Sequence, residues 1–330
     1  MSAAVARRTA ILLALLALLT FTSPASQAQP RRLIKIGALT DSWGPTTSIV
    51  GFRDGLQQLG YRENQDFVIG VRFTQGNVTE LPAAARDLVR HGVDLIAVAG
   101  GAVAARAAQQ ATTKIPIVFM GGHDPVDAGL VKSFAKPGGN MTGVADLEVE
   151  LVPKRLELLR ELVPGLKRVL FVYDATNPDA VPKLEAHREA ARRLGLTLVE
   201  KPVRTEDEAR AAIAAARKGE VDGMFAPRAL SLNIPGLTLE LASKVSVPAM
   251  FQDGFFVERG GLVSYAANAF EVGRQAARIA DKILKGAQPA SVPVEQPTKF
   301  DLVINLKTAK ALGLTIPPSL QLRADQLIQN

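Results

Sequence analysis

The sequence predicts an α/β fold with parallel sheets, built in two successive halves. Short apolar runs of strand length alternate with segments whose apolar residues recur at helical spacing, which is typical of βαβ units. The pattern restarts near Val144, so two stretches of similar organisation follow one another. The chain has 330 residues, of which 47% are hydrophobic, and this is enough for two domains that each bury a core.

The first half begins with a strand at 33–39 and a loop rich in Gly, Pro and Thr. Apolar residues at helical spacing from Ile49 to Leu59 predict a helix that Gly60 terminates. Further strands are predicted at 67–73, 94–99 and 115–120, with helices at 81–89 and 102–111. We therefore expect a parallel sheet whose strands are joined by helices.

The second half repeats this alternation. Asn177-Pro178 supplies an N-cap and a first helical residue for a helix that runs to Leu194, and 205–208 has the pattern of a capping box. The other predicted helices are at 154–162, 269–285 and 306–312. The predicted strands are at 168–172, 196–200, 223–226, 249–251, 262–265 and 300–304.

The N-terminus has the three parts of a secretory signal peptide. Arg7-Arg8 precede an apolar run at 9–21, and small residues at 26–28 offer a cleavage site before Gln29. A membrane anchor is the alternative, but the run is shorter than the roughly 20 residues that span a bilayer. We expect residues 1–28 to be removed and the mature protein to lie in the periplasm. The Leu-rich core suits the general secretory route better than twin-arginine export.

Composition excludes several classes of function. The chain has no Cys, which rules out thiol catalysis, disulfides, Cys-ligated metals and an N-terminal lipid anchor on Cys. The chain has a net charge of +7, and its Lys and Arg residues are interspersed with Asp and Glu along the whole sequence. We therefore interpret the charge as favouring solubility and expect no nucleic-acid partner. No metal or cofactor is expected.

Candidate ligand-binding residues follow the predicted strands, because ligands of open parallel sheets bind beyond the carboxyl ends of the strands. In the first half they are Asp41, Ser42, Trp43, Thr46, Thr47, Gly100, Gly101, Gly122, His123 and Asp124. In the second half they are Tyr173, Asp174, Asn177, Pro227, Arg228, Phe251, Gln252, Asp253 and Tyr265.

Each of these residue types has a structural alternative. Gly100-Gly101 either lets backbone N–H groups approach an anion or allows close helix packing. Trp43 either stacks on a ligand or covers the core of its own lobe. Asp174, Arg228 and Asp253 are either ligand partners or ordinary caps and surface charges.

The predicted ligand is a small amino acid-like or carboxylate-bearing molecule. Its anionic end would meet donors of the first lobe around Thr46, Gly100, Gly101 and Gly122. In the second lobe, Asp253 would hold an ammonium group, and Tyr173 and Phe251 would supply apolar walls.

An enzyme is not expected, because no catalytic constellation is present. His91 and His187 lie on predicted helices among charged residues, where we expect both rings to be solvated. His123-Asp124 is the one tempting pair, but no G-x-S-x-G or H-E-x-x-H motif accompanies it.

Several segments resemble the tryptophan-type (TrpX-like) substrate-binding proteins of ABC transporters. The most specific is 287–314 (AQPASVPVEQPTKFDLVINLKTAKALGL), which continues into 315–320 (TIPPSL). The others are 52–56 (FRDGL) with Gly60-Tyr61, 115–119 (IPIVF), 124–131 (DPVDAGLV), 136–140 (KPGGN), 142–144 (TGV), 154–159 (KRLELL) and 260–262 (GGL). The resemblance covers essentially the whole chain after the signal peptide.

The resemblance implies a type I periplasmic-binding-protein fold, in which two Rossmann-like lobes are joined by a three-strand hinge. The N-terminal lobe would comprise 31–144 and 267–297, and the C-terminal lobe 145–266 and 298–330. The protein would be a monomer that captures a small molecule between the lobes and delivers it to a membrane permease with its ATPase. Members described as binding aromatic amino acids give the family its name. A ligand sensor for chemotaxis or two-component signalling, and a secreted α/β enzyme, are the alternatives.

Overall fold

Two largely parallel sheets organise the chain from Ile34 onward in the computed structural model. The structure describes residues 32–121, 124–176, 180–216, 219–226, 239–240, 243–244 and 246–329. The expected signal peptide therefore lies outside the described residues. Within the described part of the chain, no helix is both long enough and apolar enough to cross a membrane.

The first sheet has five parallel strands in the order β2-β1-β3-β4-β5. The strands are β1 Ile34–Thr40, β2 Phe67–Phe73, β3 Leu95–Val98, β4 Ile117–Met120 and β5 Met141–Val144. The helices among them are α1 Thr47–Gln58, α2 Leu81–Arg90 and α3 Ala102–Ala111. Strands β3, β4 and β5 are buried along their whole length, as expected for a parallel sheet covered on both faces.

The second sheet has the order β12-β11-β10-β9-β8-β6-β7. The strands are β6 Arg168–Asp174, β7 Thr197–Val203, β8 Gly223–Ala226, β9 Ala249–Phe251, β10 Val263–Ala267, β11 Phe300–Asn305 and β12 Gln326–Ile328. The helices are α4 Val152–Leu162, α5 Ala180–Arg193, α6 Glu206–Ala214, α7 Gly254–Glu258, α9 Leu306–Ala311 and α10 Pro318–Arg323. All neighbouring pairs are parallel except β10 and β11.

Helix α8, Ala269–Leu284, follows the second sheet in sequence but packs on α1 of the first. The two helices approach so closely that a Cβ added at Gly51 would lie 2.0 Å from the carbonyl oxygen of Phe270. A Cβ added at Gly273 would lie 2.0 Å from the carbonyl oxygen of Ser48. Since both obstacles are backbone atoms, only glycine fits at these two positions. We call the first sheet with α1–α3 and α8 the first lobe, and the second sheet with its helices the second lobe.

Three segments pass between the lobes, and hydrogen bonds tie them together. The N–H of Ala145 donates to the carbonyl of Glu295 (2.8 Å), and the N–H of Glu295 donates to the carbonyl of Gly143 (2.9 Å). Asn268 donates its N–H to Lys299 (3.0 Å), just beyond the last β10–β11 pair. The segments therefore lie side by side, as a hinge between two rigid lobes requires.

The predicted alternation of elements is confirmed, and the differences lie in short elements. Strands β5 and β12 and helices α7 and α10 were not predicted. Strand β6 continues through Asp174 rather than ending at Val172. The predicted N-cap and first residue at Asn177-Pro178 lie outside the described residues, and α5 is described from Ala180.

Candidate functional site

The loops after β1 and β3 bring Asp41 and Gly100 together. A Cβ added at Gly100 would lie 3.1 Å from Oδ1 of Asp41 and 2.9 Å from Cβ of Ala104. Gly100 therefore serves close packing against α3 and also brings a carboxylate to the β3 loop. Gly101 is the N-cap of α3 and has no side chain to occupy the first N–H groups of that helix.

The loop after β1 is held by its own hydroxyl groups. Oγ1 of Thr40 donates to Oγ of Ser42 (3.0 Å), and that hydroxyl donates to the carbonyl of Gly44. Thr46 caps α1, where its Oγ1 accepts from the N–H of Ile49 (3.3 Å). Its hydroxyl is thus already engaged, and Thr47 beside it is exposed.

Trp43 is 59% exposed in this loop. The alternative in which its ring covers the core of the lobe is therefore wrong. The indole therefore stands exposed at the carboxyl edge of the first sheet, the edge at which ligands of open parallel sheets bind.

The loop after β4 is described only in part, because Gly122 and His123 lie outside the described residues. Asp124 uses Oδ1 to accept from the N–H groups of Val126 (2.8 Å) and Asp127 (3.0 Å). Its carboxylate therefore stabilises the turn that follows.

In the second lobe, the loop after β6 carries two predicted residues. Tyr173 is half-buried, with its ring centroid 5.7 Å from that of Phe171. Asp174 is only 4% exposed, and its Oδ1 accepts from both the N–H and the hydroxyl of Thr176 (2.7 Å each). The reading of Asp174 as an open strand-end carboxylate is corrected, because its side chain is buried and holds its own turn. Asn177, Pro227 and Arg228 lie outside the described residues.

The loop after β9 keeps Asp253 and Gln252 partly exposed. Oδ1 of Asp253 accepts from the N–H of Phe255 (2.9 Å) and so caps α7. The placement of Phe251 as an apolar wall is corrected. Its side chain is 1% exposed and stacks on Phe256 inside the core of the second lobe (centroids 5.6 Å apart).

Phe255 is an exposed aromatic residue that the sequence did not single out. It lies in the first turn of α7, two residues after Asp253, and is 44% exposed. The guanidinium carbon of Arg259 lies 3.4 Å from its ring centroid, a cation–π contact that covers one face. The signal that could have found it is its place two residues after a strand-end Asp.

Tyr265 lies on β10 near the segments that join the lobes. Its ring stacks on Phe300 of β11 (6.1 Å between centroids), and its carbonyl accepts from Nε of the buried Arg155 (2.7 Å). Arg155 belongs to α4, so this contact lies within the second lobe, next to the second connecting segment. Tyr265 is thus engaged at the hinge.

The expectation that the His187 ring is solvated is wrong, whereas His91 is exposed as expected. The His187 imidazole is only 4% exposed and lies between the rings of Phe171 (4.7 Å) and Phe225 (5.6 Å). Its Nδ1 bonds to the carbonyl of Lys183 (2.8 Å). Burial lowers the pKa of His187, so the ring is neutral in the folded protein at neutral pH. Helical spacing alone could not show that this face of α5 meets the sheet.

Among the described residues, no group of three or more His, Asp or Glu side chains could hold a metal ion. What the described loops offer instead is a carboxylate, hydroxyls, backbone N–H groups and exposed aromatic rings, the usual lining of a small-molecule site. These groups stand at the carboxyl ends of strands in two separate sheets. Fold and site together define the class of two-lobed α/β binding proteins.

The comparisons name the family within that class. Residues 40–328 match the model of the family described as ABC transporter substrate binding protein, and the chain belongs to this family. The resemblance stated from the sequence is confirmed. The family description gives substrate binding for an ABC transporter as the role, and the signalling alternative is not favoured.

Similar proteins share most of their length with this chain. A tyrosine-binding protein of Clostridioides difficile (strain R20291) is 29% identical over 266 residues, which is 80% of this chain and 76% of the relative. The crystal structure of an ABC domain in complex with L-Trp from Streptococcus pneumonia has a TM-score of 0.80 at 28% identity. It covers 89% of this chain and 99% of that one. A conserved domain protein from Vibrio cholerae O1 biovar eltor has a TM-score of 0.80 at 30% identity, with the same coverage.

Proposed function

We propose that the protein binds an aromatic L-amino acid between its lobes and delivers it to an ABC permease and its ATPase, without catalysing a reaction. The observation that carries this proposal is Trp43, which stands exposed at the carboxyl edge of the first sheet beside Asp41 and Gly100. Relatives named for tyrosine binding or crystallised with L-Trp support a flat, aromatic ligand.

The two ends of the amino acid meet different lobes in this proposal. The carboxylate lies at the first lobe, near the N-terminus of α3, because Gly101 has no side chain to cap that helix and a helix N-terminus favours an anion. The ammonium lies at Asp253, whose side chain is partly exposed while its Oδ1 caps α7. Trp43 and Phe255 offer aromatic surface to the side chain from the two lobes.

The site works outside the cytoplasm, as the substrate-binding proteins of ABC importers do. We propose export to the periplasm with cleavage after Ala28, and lobe boundaries at 144–145, 266–267 and 297–298. The protein acts as a monomer, since one chain supplies both lobes.

Calorimetry on the mature chain, freed of bound ligand by unfolding and refolding, tests the proposal. We expect L-Trp, L-Tyr or L-Phe to bind, and L-Leu and L-Glu to bind at least tenfold more weakly. Trp43→Ala should weaken binding roughly tenfold, because an aromatic pair contributes about 0.5–1.5 kcal/mol beyond its buried area. Trp43 is the only Trp in the chain, so its fluorescence reports the same event.

Asp253→Asn removes the negative charge of the side chain and keeps an oxygen that can cap α7. Asn caps helices as well as Asp does, so stability should hold, whereas loss of a charge-assisted hydrogen bond of about 1.5–3 kcal/mol should weaken binding ten- to a hundredfold. Leu322→Ala, at a residue 88% exposed on α10, serves as the matched control and should leave affinity unchanged. The proposal fails if the ligand that copurifies with the protein is not an aromatic amino acid.

A further inference from the structure

One residue near the candidate site has an unusual backbone conformation. Among the described residues other than glycine, Asn64, Gln75 and Ser246 have positive φ, at 65°, 52° and 53°. Asn adopts this left-handed region readily, whereas Gln with its longer side chain seldom does. Gln75 follows β2 at the carboxyl edge of the first sheet, while Asn64 precedes β2 at the opposite edge.

Gln75 occupies a tight turn with left-handed backbone at both central positions. Asn77 donates its N–H to the carbonyl of Thr74 (2.9 Å), and Gly76, with φ 84°, follows Gln75. Two consecutive positive φ values define a type I′ turn, whose usual first central residue is Asn, Asp or Gly. Gln at this position is therefore not explained by the turn itself.

The turn is docked on the loop that carries the predicted ligand residues. The N–H of Gln75 donates to the carbonyl of Ser42 (3.1 Å), and the N–H of Gly76 donates to the carbonyl of Asp41 (2.7 Å). The turn is thereby fixed beside Trp43, which follows Ser42 directly.

The side chain of Gln75 takes no part in holding the turn. It is exposed, and its carboxamide has no hydrogen-bond partner in the part of the chain that the structure describes. The backbone of Gln75 is strained, and hydrogen bonds to the β1 loop hold it in that conformation. Strain of this kind, beside a polar side chain without a hydrogen-bond partner among the described residues at the carboxyl edge of the sheet, is typical of a functional position.

We propose that Gln75 is a ligand-binding residue whose carboxamide nitrogen donates a hydrogen bond to the carboxylate of the bound amino acid. The inference rests on the proposed function and adds a residue to its first-lobe half. The N–H groups of Gln75 and Gly76 both bond to the β1 loop, which leaves the exposed carboxamide of Gln75 as the group that can donate to a ligand.

Gln75→Gly separates the effect of the side chain on affinity from the effect of the strained backbone on stability. Glycine accepts positive φ without cost, so the melting temperature should not fall, while affinity for the ligand that binds the wild type should drop about ten- to a hundredfold. Asn64→Gly is the matched control, since it relieves the same conformation at the other end of β2 and should leave affinity unchanged.

Gln75→Glu decides the direction of the hydrogen bond. A second carboxylate facing that of the ligand should weaken binding more than Gln75→Gly does, and Gln75→Asn, which keeps a shorter carboxamide, should weaken it less. L-Tryptophanamide, which lacks the carboxylate, should bind wild type and Gln75→Gly about equally.

The outcomes distinguish this inference from the function on which it rests. If an aromatic amino acid binds wild type and Gln75→Gly with equal affinity, or if Gln75→Glu binds it more tightly, the inference is overturned and the proposed function stands. If no aromatic amino acid binds the wild type, the proposed function fails first.

Discussion

At the carboxyl ends of the strands, Asp124, Asp174 and Asp253 each accept a backbone hydrogen bond from a residue two positions further along. The residue types that cap helices and turns are the same ones that bind polar ligands, because both tasks need a short side chain with an oxygen acceptor. Buried Asp174 performs the structural task. Partly exposed Asp253 caps α7 through Oδ1, and it is the carboxylate that we propose for the ammonium of the ligand.

The buried imidazole of His187 also makes the free energy of unfolding depend on pH. Burial lowers its pKa below the ordinary value of 6.5, so below that pH the unfolded chain binds a proton that the folded chain excludes. The free energy of unfolding should therefore fall as pH falls from about 6.5 toward the depressed folded pKa. Urea melts at a series of pH values between about 5 and 7 measure this slope.

His187→Leu should flatten the slope over the same range, since Leu does not titrate and suits a site between two Phe rings. The charged groups around the imidazole are Glu148, Arg155 and Lys183, and all three remain in the variant. An unchanged slope in His187→Leu would show that another group carries the acid sensitivity.

At the scale of elements, strong hydrophobic periodicity predicted the boundaries of some helices and strands, whereas several short elements were not predicted. Strand β2 and helix α3 lie where the sequence predicts them, residue for residue. Strand β5 was missed because four residues, MTGV, carry too little pattern, and it becomes a strand only through pairing with β4. The sequence predicts a candidate site at the strand ends but did not single out the turn at Gln75, because nothing about Gln signals a left-handed backbone.

The close crossing of α1 and α8 can be tested by adding a methyl group at Gly51 or Gly273. Gly51→Ala or Gly273→Ala should lower the free energy of unfolding by about 1–3 kcal/mol, because each new methyl group meets backbone that cannot move without separating the helices. Gly70→Ala is the matched control, since an added Cβ there meets nothing within 4 Å and should not destabilise. Denaturant melts compare the three variants with the wild type. Full stability in both Gly51→Ala and Gly273→Ala would mean that the crossing tolerates a wider spacing.

At the scale of the whole molecule, hydrogen bonds join the segments that connect the lobes to one another. The bonds of Ala145 with Glu295 and of Asn268 with Lys299 run between neighbouring segments rather than from lobe to lobe. Arg155 adds a bond to Tyr265 within the second lobe, next to the second segment. A rotation about this line can therefore leave each of these hydrogen bonds intact.

Ligand binding should close this hinge, because an amino acid held at one end by each lobe contacts both only when the carboxyl edges approach. Small-angle X-ray scattering of the mature chain should show a smaller radius of gyration with saturating aromatic amino acid than without it. The same amino acid added to Asp253→Asn, below the dissociation constant of that variant, should leave the radius at its ligand-free value. Closure also shields Trp43 from water, so its fluorescence should shift to shorter wavelength with the same ligand dependence as the radius. A saturated complex with an unchanged radius would mean that the ligand sits on one lobe alone, and the division of carboxylate and ammonium between the lobes would then be wrong.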